Sequence, residues 1–419
     1  MAYHGFAHLH VPRNDIFAHM KYLIIAFLPL IFLSCNTKED KFVITLTSPS
    51  GKLLPNSLTP YLVNAEDGKT YLSFLQKQDN ITTLFWSSWQ DSTWTNPRPI
   101  ATGKNWFVNW ADYPGISVHK DGTMLAWFLQ KNDSATFAYQ VMITMSIDKG
   151  VTWTVPKPLH DDNTPTEHGF VSAVPYQDGF FICWLDGRKT NMGADHEAMG
   201  HLGEMTLRCA IIGKDGTKQN EWETDSKVCD CCQTTAGIAN DGPLVIYRNR
   251  SDDEIRDMNI VRFEKDKWTA PDTLHDQHWQ IEACPVNGPR LDVKNNNVAV
   301  VYFGAPGGNA SVYVKFSADG GKSFGQASRL DHGKPTGRVD ICWINDNYAA
   351  ATWMESEKLW LAIINKNGTI QLSEPIAERS SKRSSGFPQL TTCGENLILA
   401  WTNNETQQVE TMIVHYKSR

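Results

Sequence analysis

The 419-residue chain has neither an excess of basic residues nor an apolar run long enough to cross a membrane as a helix. Its net charge is -7, so the basic surface expected of a nucleic-acid-binding protein is missing. The apolar run at residues 22–33 has 12 residues, against about 20 for a membrane-spanning helix. A glycine-rich phosphate loop, a nucleophile elbow and a His-Glu-x-x-His zinc motif are absent as well. These absences exclude nucleic acid as a partner and three common kinds of catalytic site.

The short N-terminal run has the length of the hydrophobic region of an export signal. Met20 and Lys21 precede it, and Leu33-Ser34-Cys35 follows, which resembles the lipobox of bacterial lipoproteins. We therefore expect residues 1–35 to be a signal peptide whose true start is Met20, Cys35 to be lipidated, and residues 36–41 to form a polar tether. A plain secretory signal is the alternative. The resemblance implies a cell-envelope lipoprotein, at the outer membrane or cell surface of a Gram-negative bacterium, that contacts the membrane only through its lipid anchor.

Aromatic residues are abundant, with 15 Trp, and an apolar strand that ends in an aromatic residue recurs along the chain. The copies are spaced 48 to 63 residues apart and end at Phe74, Trp127, Trp184, Tyr247, Tyr302, Trp353 and Trp401. Turn sequences such as Asp-Gly precede most copies, so each copy is expected to close a hairpin with an earlier strand. Seven repeats of similar length predict seven small sheets.

The outer strands of these sheets give an independent count. Six candidates follow the repeat strands, the first at residues 94–100 and the last at residues 370–376. Residues 41–47 form an isolated strand at the other end of the chain. If this strand pairs with the seventh sheet, it supplies the missing outer strand, and the closure removes open sheet edges. The sequence therefore predicts one all-β domain, a seven-bladed β-propeller over residues 42–419 that is closed by an N-terminal strand.

An eight-residue turn, Ser-x-Asp-x-Gly-x-x-Trp, occurs at residues 146–153, and a copy with Phe in place of Trp lies at residues 317–324. Its carboxylate can accept backbone N–H groups inside the turn, and its glycine supplies a positive φ. The turn resembles the Asp-box, or BNR repeat, of the sialidase-like propellers, a family of sialidases, other glycan-active propellers and non-enzymatic relatives. Its sialidases have six blades, which makes a six-bladed propeller the alternative. They also carry an Arg-Ile-Pro motif, which residues 56–61 of this chain do not match.

The resemblance implies a site on the face where the segments leading into the innermost strands converge. A sialidase needs three guanidinium groups around the substrate carboxylate, because the planar fork binds it bidentately, and it needs acidic groups for proton transfer. The candidate catalytic residues are Asp112, Glu167, Glu254 and Asp340. The candidate substrate-binding residues are Arg188, Arg248, Arg250, Arg338, Asn287 and Trp110. The alternative role of the arginines is to order long loops through ion pairs.

A cluster of cysteines is the most unusual string, because Cys229, Cys231 and Cys232 lie within four residues. In an exported protein, Cys231 or Cys232 can form a disulfide with Cys284 across two blades. Thiolates are also preferred ligands of copper and zinc, and buried free thiols are a third possibility. The candidate metal or disulfide residues are Cys229, Cys231, Cys232, Cys284, His168, His196 and His201.

Together these features predict an exported, monomeric, sialidase-like propeller that acts on or binds glycans. If it is catalytic, the resemblance implies an exo-glycosidase of the sialidase superfamily, which requires no cofactor. The alternative is a non-catalytic propeller whose Cys/His/Met pocket binds a metal or whose rim binds a protein partner.

Overall fold

Seven antiparallel sheets follow one another along the chain in the computed structural model, which describes residues 41–49, 53–190 and 203–418. The predicted signal peptide, the Cys35 lipidation site, most of the predicted tether, and two predicted ligands, His196 and His201, lie outside these residues. Within them, no helix is both long and apolar enough to span a membrane.

The sheets, or blades, have four or five strands each. The first strand, β1 (Phe42–Thr47), belongs to the last blade. Blade 1 contains β2 (Ser57–Asn64), β3 (Thr70–Gln78), β4 (Ile81–Gln90), β5 (Thr93–Trp94) and β6 (Arg98–Gly103). Blade 2 contains β7 (Gly115–Val118), β8 (Met124–Lys131), β9 (Tyr139–Ser146) and β10 (Lys157–Pro158). Blade 3 contains β11 (His168–Tyr176), β12 (Gly179–Thr190), β13 (Gly203–Gly213) and β14 (Lys218–Asp225).

The remaining four blades repeat this pattern. Blade 4 contains β15 (Thr235–Ala239), β16 (Gly242–Arg248), β17 (Met258–Glu264), β18 (Lys267–Trp268) and β19 (Asp272–His275). Blade 5 contains β20 (Arg290–Lys294), β21 (Asn297–Gly304), β22 (Ser311–Ser317) and β23 (Ser328–Arg329). Blade 6 contains β24 (Pro335–Trp343), β25 (Tyr348–Glu355), β26 (Lys358–Asn365) and β27 (Ile370–Glu378). Blade 7 contains β28 (Gln389–Cys393), β29 (Asn396–Asn403) and β30 (Gln408–Ser418), and two 3-10 turns lie at Pro306–Gly308 and Arg383–Ser385.

The blades form a closed ring. Each innermost strand contacts the next one, in the order β2, β7, β11, β15, β20, β24 and β28, and β28 contacts β2 again. Strand β1 pairs with β30, from Phe42 opposite Ser418 to Thr47 opposite Ile413. The predicted seven-bladed propeller with an N-terminal closing strand is therefore confirmed, and the six-bladed alternative is wrong.

The predicted repeat strands are the second strands of the blades. Each is apolar over most of its length because neighbouring blades cover both of its faces, and β12 illustrates this with nine consecutive buried residues. Burial on both faces favours continuous apolar runs over alternation. A buried apolar cluster accordingly fills every space between neighbouring blades.

Polar side chains near the innermost strands also join neighbouring blades. Asp112 Oδ1 accepts the backbone N–H of Phe170 at 2.7 Å, and Asp340 Oδ2 accepts that of Leu390 at 2.8 Å. Asp292 Oδ2 does the same for Trp343 at 2.7 Å. A carboxylate that accepts a backbone N–H satisfies a buried donor which no ladder partner reaches. These contacts join three pairs of neighbouring blades.

The two eight-residue turns have the predicted hydrogen bonds. In the first, Asp148 Oδ1 accepts the backbone N–H groups of Val151 at 3.1 Å and Thr152 at 2.9 Å. Gly150 has φ +78°, and a Cβ there would lie 2.4 Å from Trp86 of blade 1. The aromatic residue of this turn, Trp153, packs against the apolar cluster between blades 1 and 2.

Candidate functional site

A cavity of about 640 Å³ opens where segments leading into several innermost strands meet. This is the face on which the sequence predicts a site. Its aromatic wall includes Trp110 and Phe137, and its acidic residues are Glu167 and Asp230. The exposed Arg383 also borders it. The cavity thus combines an aromatic surface, two carboxyl groups and one basic side chain.

Tyr139 connects two of the predicted catalytic residues. Its hydroxyl lies 2.9 Å from Asp112 Oδ2 and 2.8 Å from Glu167 Oε1. Tyr139, Asp112 and Glu167 are 0%, 2% and 7% exposed, so little water competes for these hydrogen bonds. Tyr139 and Glu167 border the cavity, and Asp112 lies behind them. We call these three residues the acid-tyrosine chain.

One hydroxyl has a single proton, so Tyr139 cannot donate to both carboxyl groups. One of the two hydrogen bonds must be donated by a protonated carboxyl group. Burial raises the pKa of Asp112 to about 8, the charge of Glu167 acts in the same direction, and hydrogen bonds from Phe170 and Tyr139 only partly offset them. We therefore infer that near neutral pH Asp112 donates to Tyr139, and Tyr139 donates to Glu167.

Local sequence explains this close approach. Asp112 follows a turn in which Asn109 Oδ1 accepts the backbone N–H of Ala111 at 2.8 Å. Gly169 lies beside the carboxyl group, and a Cβ there would be 1.8 Å from Asp112 Oδ2. Phe170, whose N–H binds Asp112, has φ +53°, a strained value for a bulky residue. The Asp112 carboxyl group is therefore held by a glycine without a side chain, Gly169, and by the strained backbone of Phe170.

The other two predicted catalytic residues lie elsewhere. Glu254 binds two guanidinium groups, at 2.8 Å from Arg250 and 2.6 Å from Arg256. Burial alone would raise the pKa of Glu254, but these hydrogen bonds lower it. Asp340 Oδ1 is 3.0 Å from Arg290 Nε and borders a separate cavity lined by the inner strands. The structure therefore brings Asp112 and Glu167 together but not Glu254 or Asp340.

The four predicted arginines do not converge on one point. Arg248 donates to the backbone carbonyls of Arg256, Asn287 and Phe303, that of Asn287 at 2.6 Å. Arg338 donates to the carbonyls of Ser381, Lys382 and Gly386. Arg250 binds Glu254, and Arg188 binds Asp186 at 2.7 Å. None of the four borders the cavity around the acid-tyrosine chain in the described part of the protein.

Two other predicted binding residues have different surroundings. Trp110 borders the cavity, where it stacks on Phe387 at 5.6 Å, and the Arg338 guanidinium lies 5.1 Å from its ring centre. Asn287 joins blades 5 and 6, because its Oδ1 accepts the backbone N–H of Arg338 at 2.8 Å. Only Trp110 of this pair faces the open space.

The eight cysteines from Cys183 to Cys393 are free thiols, so the predicted cross-blade disulfide is not formed here. The Sγ atoms of Cys229, Cys231 and Cys232 all lie within 4.8 Å of one another. Cys231 and the exposed Cys284 border the cavity. The predicted cysteine cluster is thus adjacent to the acid-tyrosine chain.

His168 belongs to a different group of buried residues. Its Nε2 is 3.2 Å from Asp162 Oδ2, and its ring stacks on His160 at 3.7 Å. Asp186 Oδ1 lies 3.6 Å from His168 Nε2, and the same carboxyl group binds Arg188. This group lies apart from the cysteines, so His168 is not a fourth ligand of their cluster in this arrangement.

Sequence reasoning did not identify four residues that border the cavity: Phe137, Tyr139, Asp230 and Arg383. Tyr139 begins β9, and the loop before it, which contains Phe137, leaves the second strand of blade 2. Asp230 lies within the cysteine cluster, in the segment leading into β15, and Arg383 lies in the segment leading into β28. Since segments of these kinds open on the site face, the position in a blade is the available signal.

No protein-family model and no curated protein matches this chain. Solved structures with similar folds include a protein of unknown function from Dyadobacter fermentans, at 13% identity and a TM-score of 0.49, with 90% of this chain and 98% of that chain covered. An ulvan lyase, described as a polysaccharide lyase, has 12% identity and a TM-score of 0.48, with 77% and 82% covered. The intramolecular trans-sialidase of Ruminococcus gnavus has 9% identity and a TM-score of 0.42, with 86% and 94% covered. The fold assignment above rests on strand pairing, and the site is argued from its own residues.

Proposed function

We propose that this chain cleaves glycosidic bonds of acidic glycans at the cavity bordered by Trp110 and Glu167. The observation that supports the proposal is the acid-tyrosine chain, in which the buried Tyr139 hydroxyl links Asp112 to Glu167 and Glu167 borders the cavity. Glycoside cleavage needs one group that protonates the leaving oxygen and a carboxylate that activates water or attacks the sugar. The cavity offers two carboxyl groups for these roles.

Glu167 is the proposed general acid. A proton moves from Asp112 to Tyr139 while the Tyr139 proton moves to Glu167, which then protonates the leaving oxygen. Such a relay works when the donor's pKa is close to the working pH, and that of Asp112 is about 8. Tyr139 and Asp112 act as positioning residues, because they reach the substrate only through Glu167.

Asp230 is the proposed carboxylate partner. It is 4% exposed, borders the cavity, and lies 3.6 Å from Arg250 Nη1. Because Asp230 and Glu167 border the same cavity, Asp230 can serve as the carboxylate that activates a water molecule.

The substrate class follows from the other cavity residues. Trp110 and Phe137 offer aromatic faces on which a sugar ring can stack. Arg383 is exposed at the edge of the same cavity, and a guanidinium group binds a carboxylate bidentately. A uronic or sialic acid residue supplies both a ring and a carboxylate. A clamp of three arginines is not part of the proposal, because the predicted arginines have internal partners.

The test is cleavage by the full chain of a panel of neutral, sialylated and uronic-acid glycans, with released sugars detected by mass spectrometry. We expect cleavage of an acidic glycan, and we expect Glu167→Gln to lower kcat by about 10² to 10⁴-fold. Glu264→Gln is the matched control, since Glu264 pairs with Arg262 on blade 4. Arg383→Ala should raise KM for acidic glycans by about tenfold. Absence of cleavage by correctly folded protein, or full activity of Glu167→Gln, would overturn the proposal.

Export and lipid attachment at Cys35 remain predictions from the sequence.

A further inference from the structure

The cysteine cluster has the dimensions of a metal-binding site. Cys229 Sγ and Cys232 Sγ are 3.5 Å apart, and Cys231 Sγ is within 4.8 Å of both. A disulfide would bring two sulfurs to about 2.05 Å. Thiolates bound to one metal ion at about 2.3 Å lie roughly 3.8 to 4.0 Å apart in tetrahedral or trigonal geometry. The observed spacing is closer to the second arrangement.

A buried guanidinium group contacts the cysteine cluster. Arg256, which is fully buried, donates from Nη1 to Cys229 Sγ at 3.2 Å. Glu254 holds the same guanidinium group at 2.6 Å and so fixes its direction. Outer hydrogen bonds of this kind orient and stabilise metal ligands.

A fourth sulfur is available from the neighbouring blade. Cys284 lies in the segment leading into β20, is exposed, and borders the same cavity as Cys231. Three of the cysteines thus lie in the segment leading into β15, and the fourth, Cys284, lies at the cavity that Cys231 also borders.

We propose that Cys229, Cys231 and Cys232 bind one thiophilic metal ion, Cu⁺ or Zn²⁺, with Cys284 as a fourth ligand on the cavity side. Thiolates select these ions over hard cations, which prefer oxygen ligands. Three or four thiolates with a monovalent or divalent ion leave a net negative charge, and the Arg256 guanidinium group, which also pairs with Glu254, offsets part of it. The proposal does not depend on glycan cleavage.

The binding test uses the full chain, reduced with a phosphine and kept without oxygen. Zn²⁺ is titrated against a chromophoric chelator, and Cu⁺ against a Cu⁺-specific chelator, with metal content measured by mass spectrometry. We expect one equivalent of at least one ion in the wild type. Cys229→Ser and Cys231→Ser should each lower the affinity by about tenfold or more, since second-shell changes alone cost that much.

Cys342→Ser is the matched control. Cys342 is a free thiol, 5% exposed, in blade 6, so its loss changes the number of thiols without touching the cluster. Stoichiometric binding that Cys342→Ser keeps and Cys231→Ser loses would support the site. Binding that is equal in both variants, or absent from the wild type, would overturn it.

X-ray absorption at the metal edge keeps the test informative if a cluster variant does not fold. The wild type should show a shell of three or four sulfurs at about 2.3 Å. A shell of nitrogen and oxygen would contradict the proposal. A disulfide in the cluster would contradict it as well, and it would be seen as a mass 2 Da below that of the reduced chain that persists under reductant while metal binding is lost. Glycan cleavage by metal-free protein would leave the function proposed above intact, so the two proposals fail separately.

Discussion

Two buried carboxyl groups join neighbouring blades in the same way but have different second partners. Asp112 and Asp340 each accept a backbone N–H from the following blade. Asp340 then binds the Arg290 guanidinium at 3.0 Å, whereas Asp112 faces the Tyr139 hydroxyl at 2.9 Å. Asp340 thus has a positively charged partner in an ion pair, whereas burial beside a neutral hydroxyl raises the pKa of Asp112 to about 8. The same structural device therefore serves stability in one place and proton storage in another.

Removing the positive partner should have the largest effect on stability. Arg290→Met leaves Asp340, which is 2% exposed, without its counter-charge. Breaking a buried pair by removing one partner costs about 3 to 5 kcal/mol. We expect the free energy of unfolding, measured by chemical denaturation, to fall by about 3 kcal/mol.

A double variant checks the reason for that loss. Adding Asp340→Asn to Arg290→Met removes the uncompensated charge, so part of the stability should return. If Arg290→Met has the same free energy of unfolding as the wild type, the contact between Asp340 and Arg290 contributes little to stability. The contrast with Asp112 would then be wrong.

Removing the neutral partner should have a smaller effect on stability and a large effect on cleavage. Tyr139→Phe loses two hydrogen bonds but keeps its stacking on Phe107, whose ring centre is 3.9 Å away. We expect the free energy of unfolding to fall by about 1 to 2 kcal/mol, with kcat reduced by about 10²-fold.

The split between kcat and KM distinguishes the relay from a purely structural role. Loss of the relay lowers kcat at nearly constant KM, because Tyr139 does not bind the substrate in our proposal. A variant whose KM alone changes would show that Tyr139 shapes the binding site, and the role of Asp112 as a proton store would lose its support.

The last expected effect is the pH dependence of stability, which is spread over several pH units. The pKa of Asp112 is about 8 in the folded chain and about 3.9 in an unfolded chain. At pH values between the two pKa values, Asp112 keeps its proton in the folded chain but has released it in the unfolded chain. The stability that Asp112 contributes is therefore fully present below the unfolded pKa and is lost as the pH rises through 8. The slope is at most about 1.4 kcal/mol per pH unit.

Asp112→Asn should remove this slope, and Asp292→Asn is its comparison. Burial raises the pKa of Asp292 only to about 6, with backbone N–H groups of Trp343 and Val293 opposing the rise. Its contribution should therefore disappear at lower pH. Equal slopes for the wild type and Asp112→Asn in denaturation measured from pH 5 to 9 would be inconsistent with a protonated Asp112.

The sequence was sufficient for the architecture because every blade repeats the same burial. The second strands are covered on both faces, which leaves an apolar run in each copy, and the isolated strand before Thr47 implies closure. The site was predicted only in part, since Glu167 and Asp112 lie in the converging segments but Tyr139 comes from a third strand. Whether an arginine faces a ligand or a carbonyl depends on side-chain direction, and no spacing in the sequence distinguishes these for Arg248 or Arg338.

The protonation of Asp112 is the central claim, and it can be measured without knowing the substrate. The carboxyl carbon of Asp112, labelled with ¹³C and assigned by its loss in Asp112→Asn, can be followed by NMR as the pH is raised. We predict a titration midpoint near 8. A midpoint near 4, the ordinary value for an exposed aspartate, would contradict the proton store and the relay built on it.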